Sequence, residues 1–418
     1  MLISRLNRIK LSRSGILQYF CLYLLFICHD AALYRENTMI FRIGIVILCL
    51  VMIMMVKKIR QMPKEYIVFL GLVSAYLMIL GERNLLLNYL ECILITYVAY
   101  NINREKFCVR FVKLCMFFVV ASLVIYSIGV IAPDFLLKIY STENNVLWHN
   151  SWGWPYYMRG RFLYVVRAYE LDRNNSIFTE PGLWQIFLNA SLFMLLFMQG
   201  MFGDIKKNTK RLWISLLVLT ILTTASTTSY LAMAMIIGVF IISSKRNNRG
   251  DENKKTQKSI FRLLLAIVCV GCIALISDAF INEQNSLIYK RLIQKIFETT
   301  SDGTSGHARY SMILISLQLG LTHFFGVGED YLSKLIISID EGANGAILIH
   351  SFASIGFVPV LLILSFYYGR LFRKKIPFMV AILLVLIYLN TSLAQSRLLY
   401  PALIMLPIIY CDYCYKKI

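Results

Sequence analysis

Between Arg173 and Gly182 an arginine and a carboxylate stand just ahead of a long apolar run, in the order Arg173, then Ile177-Phe178-Thr179-Glu180-Pro181-Gly182. A guanidinium matches phosphate oxygens with a planar fork of donors. A carboxylate beside it can take a proton from a hydroxyl. If the apolar run spans a bilayer, both charges sit at its mouth, and the chemistry implied is transfer on a lipid-linked phosphate. Two further cations fit the same role, Arg161 upstream and Arg309 in a second polar stretch. Aromatics crowd the approach to this segment, among them Trp152, Trp154 and Tyr157. They read in two ways, as an interfacial helix anchored in the headgroup layer or as faces on which sugar rings stack.

The elements that must position these residues are apolar throughout. The chain has 418 residues, 58% apolar and 16% charged, with a mean hydropathy of +0.65. Continuous apolar runs of about 17–25 residues, each long enough for a bilayer core, recur along it. They predict an all-α polytopic membrane protein, one integral membrane domain over residues 1–418. Twelve helices are expected at about 15–33, 39–56, 65–81, 85–101, 111–132, 182–203, 211–225, 227–243, 261–281, 345–369, 377–394 and 397–413. The first run follows a basic segment but lacks a small-residue cleavage site, so it reads as a retained helix.

The net charge of +20 is distributed over alternate short loops. That pattern is topological and points away from nucleic acid as a partner: it places the basic loops and both termini in the cytoplasm. Two long loops, about 133–181 and 282–344, then lie outside. A polar stretch at about 244–260 reads as a solvated cytoplasmic tether. The seventh and eighth runs meet at Thr223-Thr224-Ala225-Ser226-Thr227-Thr228-Ser229. Small hydroxyl residues there suit a close-packed seam with a tight hairpin, or a helix break.

Polar residues inside the apolar runs are the remaining candidates. His350 lies near the outer end of the tenth run and Glu91 inside the fourth. Intramembrane ionisable groups are costly, so each is a proton carrier or a satisfied partner in packing. In the second outer loop a helix is expected from about Ala308 to Leu319, ended by Gly320. Phe325-Gly326-Val327-Gly328-Glu329-Asp330 follows as a turn with two glycines. Ten cysteines include C-x-x-C spacings at Cys269/Cys272 and Cys411/Cys414, which read as helix-packing residues rather than metal ligands. No cofactor or metal site is expected, and no D-x-D motif is present.

Taken in order along the chain, these segments resemble the O-antigen and capsule repeat-unit polymerases of bacteria (Wzy-type) and the related O-antigen ligases. The matching parts are the twelve-helix plan, Arg173 to Gly182, the hydroxyl run at 223–229, Arg309 followed by Gly320, the Phe325-Gly326-Val327-Gly328 turn and the stretch Asn344 to Gly356. There are departures. Many relatives carry a His-Asn pair before the last long helix, and Asn344 to His350 has none; the arginine motif occurs cleanly once. The resemblance implies a GT-C-like, metal-independent glycosyltransferase in the bacterial cytoplasmic membrane. Its substrates would be oligosaccharides on undecaprenyl diphosphate, and a chain-length regulator protein would be a partner. Arg161, Arg173 and Arg309 would hold the diphosphate, and Glu180 or His350 would be the base. Glu180 could equally orient an arginine. The other readings are a ligase acting on lipid A–core and a lipid-linked oligosaccharide flippase.

Overall fold

A computed structural model describes residues 13–28, 31, 38–55, 64–140, 146–149, 155–157, 162–167, 171–246, 305–339, 347–373, 375–394 and 398–416. The architecture is mostly helical. In chain order the helices are α1 (Arg13–Ile27), α2 (Thr38–Met55), α3 (Lys64–Ile79), α4 (Arg83–Asn101), α5 (Arg104–Ile131) and α6 (Pro133–Tyr140). Then come α7 (Pro181–Phe197), α8 (Lys207–Thr223), α9 (Thr227–Arg246), α10 (Ser305–Thr322) and α11 (Glu329–Ile339). The last are α12 (Ile347–Ser354), α13 (Phe357–Tyr368), α14 (Phe378–Ala394) and α15 (Pro401–Lys416). The expected helix at 261–281, the loop residues 282–304 and the Cys269/Cys272 pair lie outside the described residues.

Local chemistry sets the helix starts. Asn103 precedes α5 in an extended conformation, and its side chain accepts the Lys106 N–H at 3.0 Å, an N-cap that satisfies one orphan donor. Pro181 opens α7 and Pro133 opens α6; a proline at the first helical position has no N–H to leave unsatisfied and a φ already suited to the helix.

Helix α7 is the axis of the bundle. Every residue from Pro181 to Leu196 is buried, as expected for a helix that is apolar all round. Phe26 of α1 packs on Phe187 of α7 with ring centroids 4.0 Å apart, and Phe178 joins the same stack at 5.2 Å. By length and composition α5 is the one described helix long and apolar enough to cross a membrane, and several others of 10–17 residues are apolar but shorter.

Contacts sort the bundle into two ends. At one, Ala31 pairs with Phe178 and Asn390 donates to the Thr228 carbonyl at 2.8 Å. At the other, Tyr100 donates to Asp412 at 2.8 Å and Gln18 to the Asn103 carbonyl at 2.9 Å.

Three expectations need correction. The tenth run is two helices, α12 and α13, broken at Ile355-Gly356. Gly356 has φ +107°, which a helix cannot contain, and the Phe325-Gly326 turn is wedged against the break. The aromatic segment is not an interfacial helix where it is described. It forms a three-stranded antiparallel sheet of β1 (Val146–His149), β2 (Pro155–Tyr157) and β3 (Val166–Arg167). Tyr157 of β2 pairs with Val146 and Val166. Finally, Glu329–Ile339, expected as loop, is the helix α11. The run at 223–229 is the tight hairpin between α8 and α9, with Ala225 at φ +47°.

Candidate functional site

Three chain reversals meet at one end of the bundle and assemble a carboxylate–histidine cluster. The first is the α3–α4 turn. Gly81 adopts φ +76°, which an L side chain disfavours. The turn closes through Glu82 N–H to the Leu77 carbonyl at 2.9 Å. It leaves Glu82 buried at 8% exposure.

The second is the turn between α10 and α11. The Glu82 carboxylate accepts a hydrogen bond from the backbone N–H of Glu329, the first residue of α11. A distant carboxylate thereby caps this helix, where orphan N–H groups and the helix dipole both favour an anion. Gly328, at φ +84°, makes room for it: an added Cβ would lie 3.2 Å from Glu82 Oε1.

The third is the α12–α13 break. Gly326 and Gly356, at φ +80° and +107°, cross so closely that a Cβ on either would strike the other's backbone. Val327 N–H donates to Ala353 O at 2.9 Å and Gly328 N–H to Ser354 O at 3.0 Å. The Tyr76 hydroxyl reaches across from α3 to the Ile355 carbonyl at 2.6 Å and to the carbonyl of Phe325. Its single proton serves one of them at a time.

These joints bring Glu329 to His350. The His350 Nε2 lies 2.7 and 2.8 Å from the two Glu329 carboxylate oxygens. A carboxylate that holds one ring nitrogen fixes the tautomer and leaves the other, here Nδ1, for proton transfer. The surroundings are acidic. Burial pushes the Glu82 carboxyl above the ordinary carboxylate range. The Glu329 N–H and His350 oppose that shift, while the like charges of Glu329 and Asp330 reinforce it. Beneath the cluster, Leu77, Leu85, Tyr89, Ser351 and Leu398 line a cavity of about 60 Å³.

Helices α10 and α12 run in the same direction, because Gly320 packs on Phe352 and Phe324 O accepts from Val358 N–H. At 1.5 Å rise per residue the backbone of Arg309 therefore lies about 13 Å further out along α10 than the level of His350. The side chains of Arg309 and Tyr157 are outside the described residues, as are Arg161, Trp152 and Trp154.

The Arg173–Glu180 segment forms a separate structure. Asn174 is fully buried; its N–H donates to Thr223 O at 2.9 Å and its amide to the Thr223 hydroxyl at 3.1 Å. Arg173 Nε donates to Thr224 O at 3.3 Å, so this arginine is partly used in fastening the loop to the α8–α9 hairpin. Asn175 bonds the carbonyls of Val165 and Phe178 at 3.0 and 2.6 Å. Glu180 is exposed and its side chain does not cap α7. The carboxylate at His350 is thus Glu329, not Glu180.

Sequence reasoning singled out His350 and missed Glu82, Glu329 and Tyr76. The signal available was the glycine preceding each acid, Gly81-Glu82 and Gly328-Glu329, since a glycine in a turn between apolar runs marks a place where backbone must approach closely. Glu91 is fully buried within α4. Among the described residues no group of three or more His, Cys, Asp or Glu side chains is arranged to hold a metal. No protein-family model matches this chain, and neither the curated proteins nor the solved structures contain a match to it.

Proposed function

We propose that this chain is a multi-span membrane glycosyltransferase. It polymerises oligosaccharide repeat units carried on undecaprenyl diphosphate, at the outer face of the bacterial cytoplasmic membrane. The observation that carries the reading is the His350–Glu329 pair, capped by Glu82, at the end of the bundle where the positive-inside pattern predicts the exterior. The membrane reading is supported by the apolar side chains on the outside of the bundle, with Ile79 and Ile131 each 83% exposed.

In this mechanism His350 Nδ1 takes the proton of an acceptor hydroxyl, and Glu329 stabilises the imidazolium that forms. The hydroxyl oxygen bonds to the anomeric carbon of the donor sugar. The bond from that carbon to the diphosphate oxygen breaks, and its electron pair leaves with the diphosphate. Arg309 would carry the leaving group's charge, with Arg173 and Arg161 as further cations for the diphosphate. A substrate laid along α10 would meet Arg309 and His350 in turn. Sugar stacking would fall to Trp152, Trp154 and Tyr157 of the aromatic segment.

The test is incubation of the purified protein with lipid-linked repeat unit alone, with products resolved by size. A ladder of multiples supports polymerisation. Transfer that appears only with a lipid A–core acceptor makes the chain a ligase, and no transfer in folded protein favours a transporter. His350→Ala and Arg309→Ala should each lower product at least ~100-fold, the usual scale for a general base or a charge-stabilising group. Normal chain length from either would overturn its assignment.

A further inference from the structure

The end of the bundle away from His350 holds a second cavity, of about 180 Å³. It is framed by Tyr66 of α3, Tyr97 and Tyr100 of α4, Arg104 at the start of α5, Arg370 after α13 and Asp412 of α15. Tyr89 of α4 lines the cavity beneath His350 and Tyr100 lines this one, so the two are about 16 Å apart along the helix axis. This one opens at the basic, cytoplasmic end. Its size matches roughly six water molecules by liquid volume.

Its charges are not equally engaged. Asp412 accepts from Tyr100 at 2.8 Å and sits 3.6 Å from Arg104. Arg104 also donates to Asn101 Oδ1 at 2.8 Å and lies over the Tyr100 ring. The acid is therefore answered within the cavity wall. Arg370 stacks over Phe366, and its carboxylate neighbour, Glu65, is 3.9 Å away with a side chain 83% exposed. An exposed pair at that distance contributes little, which leaves a guanidinium fork facing the cavity. Arg373 and Lys375, both over the Tyr415 ring, add positive charge close by. Part of the wall is apolar, formed by Met405, Ile408 and Ile409.

A guanidinium fork and an apolar wall at a membrane surface form one recognisable combination. Basic pockets between membrane helices on the cytoplasmic side bind anionic lipid headgroups. We propose that this cavity binds the headgroup phosphate of an anionic phospholipid, with Arg370 as its anchor and Met405 and Ile408 against its glycerol and first acyl carbons. The proposal rests on the membrane-spanning reading and not on the glycosyl-transfer reading.

The experiment uses the full chain, recovered from carbonate-washed membranes in detergent and depleted of lipid; recovery from that fraction checks the membrane reading separately. Binding is followed by native mass spectrometry and by thermal midpoint, with added phosphatidylglycerol, phosphatidylcholine or inorganic phosphate. Phosphatidylglycerol should bind and raise the midpoint, while phosphatidylcholine should not. Arg370→Gln should weaken phosphatidylglycerol binding at least tenfold. Ile408→Trp, which fills the cavity and keeps every charge, should do the same if the glutamine variant does not fold. Equal binding of both lipids, undiminished binding in the variants, or equal protection by inorganic phosphate alone would each overturn the lipid site.

Discussion

Replacing Gly326 by alanine should open the joint on which the whole carboxylate–histidine cluster depends. The added Cβ would lie 2.4 Å from Ser354 O and 2.5 Å from the Ile355 carbonyl carbon, both backbone atoms. A comfortable carbon–oxygen contact begins near ~3.3 Å, so the turn and the α12–α13 break must part by about 0.9 Å. The hydrogen bonds on either side, Val327 to Ala353 at 2.9 Å and Gly328 to Ser354 at 3.0 Å, would stretch beyond bonding range. Two such bonds contribute about 1–3 kcal/mol together. The left-handed conformation costs an alanine about 1–2 kcal/mol more. The sum is about 2–5 kcal/mol, or a fall in midpoint of roughly 4–10 °C at ~2 °C per kcal/mol. Thermal unfolding of the detergent-solubilised chain reads this directly, with two internal standards. At Gly328 the nearest atom to an added Cβ is the flexible end of Glu82, at 3.2 Å, so Gly328→Ala should incur mainly the conformational cost. At Gly71, in helix α3, nothing lies within 4 Å, and alanine there should be neutral or stabilising. If Gly326→Ala unfolds at the same temperature as Gly71→Ala, the joint is not closed as described and the positioning of Glu329 and His350 by it is refuted.

Two further substitutions separate positioning from chemistry. Glu82→Ala removes the acceptor that caps α11 and should cost about 0.5–2 kcal/mol, whereas Glu82→Gln keeps an acceptor oxygen and should hold α11 in place. Burial raises the Glu82 carboxyl in the folded state, so its contribution is full below the ordinary glutamate value of about 4.3 and is lost as pH rises through the folded value. Glu82→Gln should therefore gain stability relative to the native chain between acid and neutral pH; a constant difference across that range in thermal midpoint would contradict this. Glu180→Gln should change the midpoint by less than ~0.5 kcal/mol equivalent, because the side chain is exposed and makes no cap. If activity in the repeat-unit assay also survives, Glu180 is not the base and His350 stands alone in that role.

Most of the helical plan was legible because apolar runs and their ends are local. The Pro181 start of α7 and the α8–α9 hairpin at Thr223 to Ser229 fall within a few residues of where periodicity and small residues place them. The tenth run was not legible as two helices. A lone glycine in an apolar stretch is tolerated in many helices, and Gly356 becomes a break because Phe325 and Gly326 from another segment press against it. Helix α11 escaped for a related reason. Its first N–H is capped by a side chain 247 residues away, so no cap residue stands immediately before it to announce the start.

The sequence by itself determined the helical class, the alternation of basic loops and the candidacy of His350 near the outer end of an apolar run. These follow from composition, period and charge, which each segment carries alone. Only the tertiary structure decided what His350 faces. Its partner Glu329 is 21 residues away, and Glu82 and Tyr76 arrive from a hairpin near the other end of the chain. Their meeting depends on three glycine-bearing reversals packing into one another, a long-range closure that no local pattern encodes. The same physics divides the arginines. Arg173 shares a motif with Glu180 in sequence, yet its Nε hydrogen bond is to the carbonyl of Thr224, because that buried carbonyl had to be answered by some donor once the hairpin had closed.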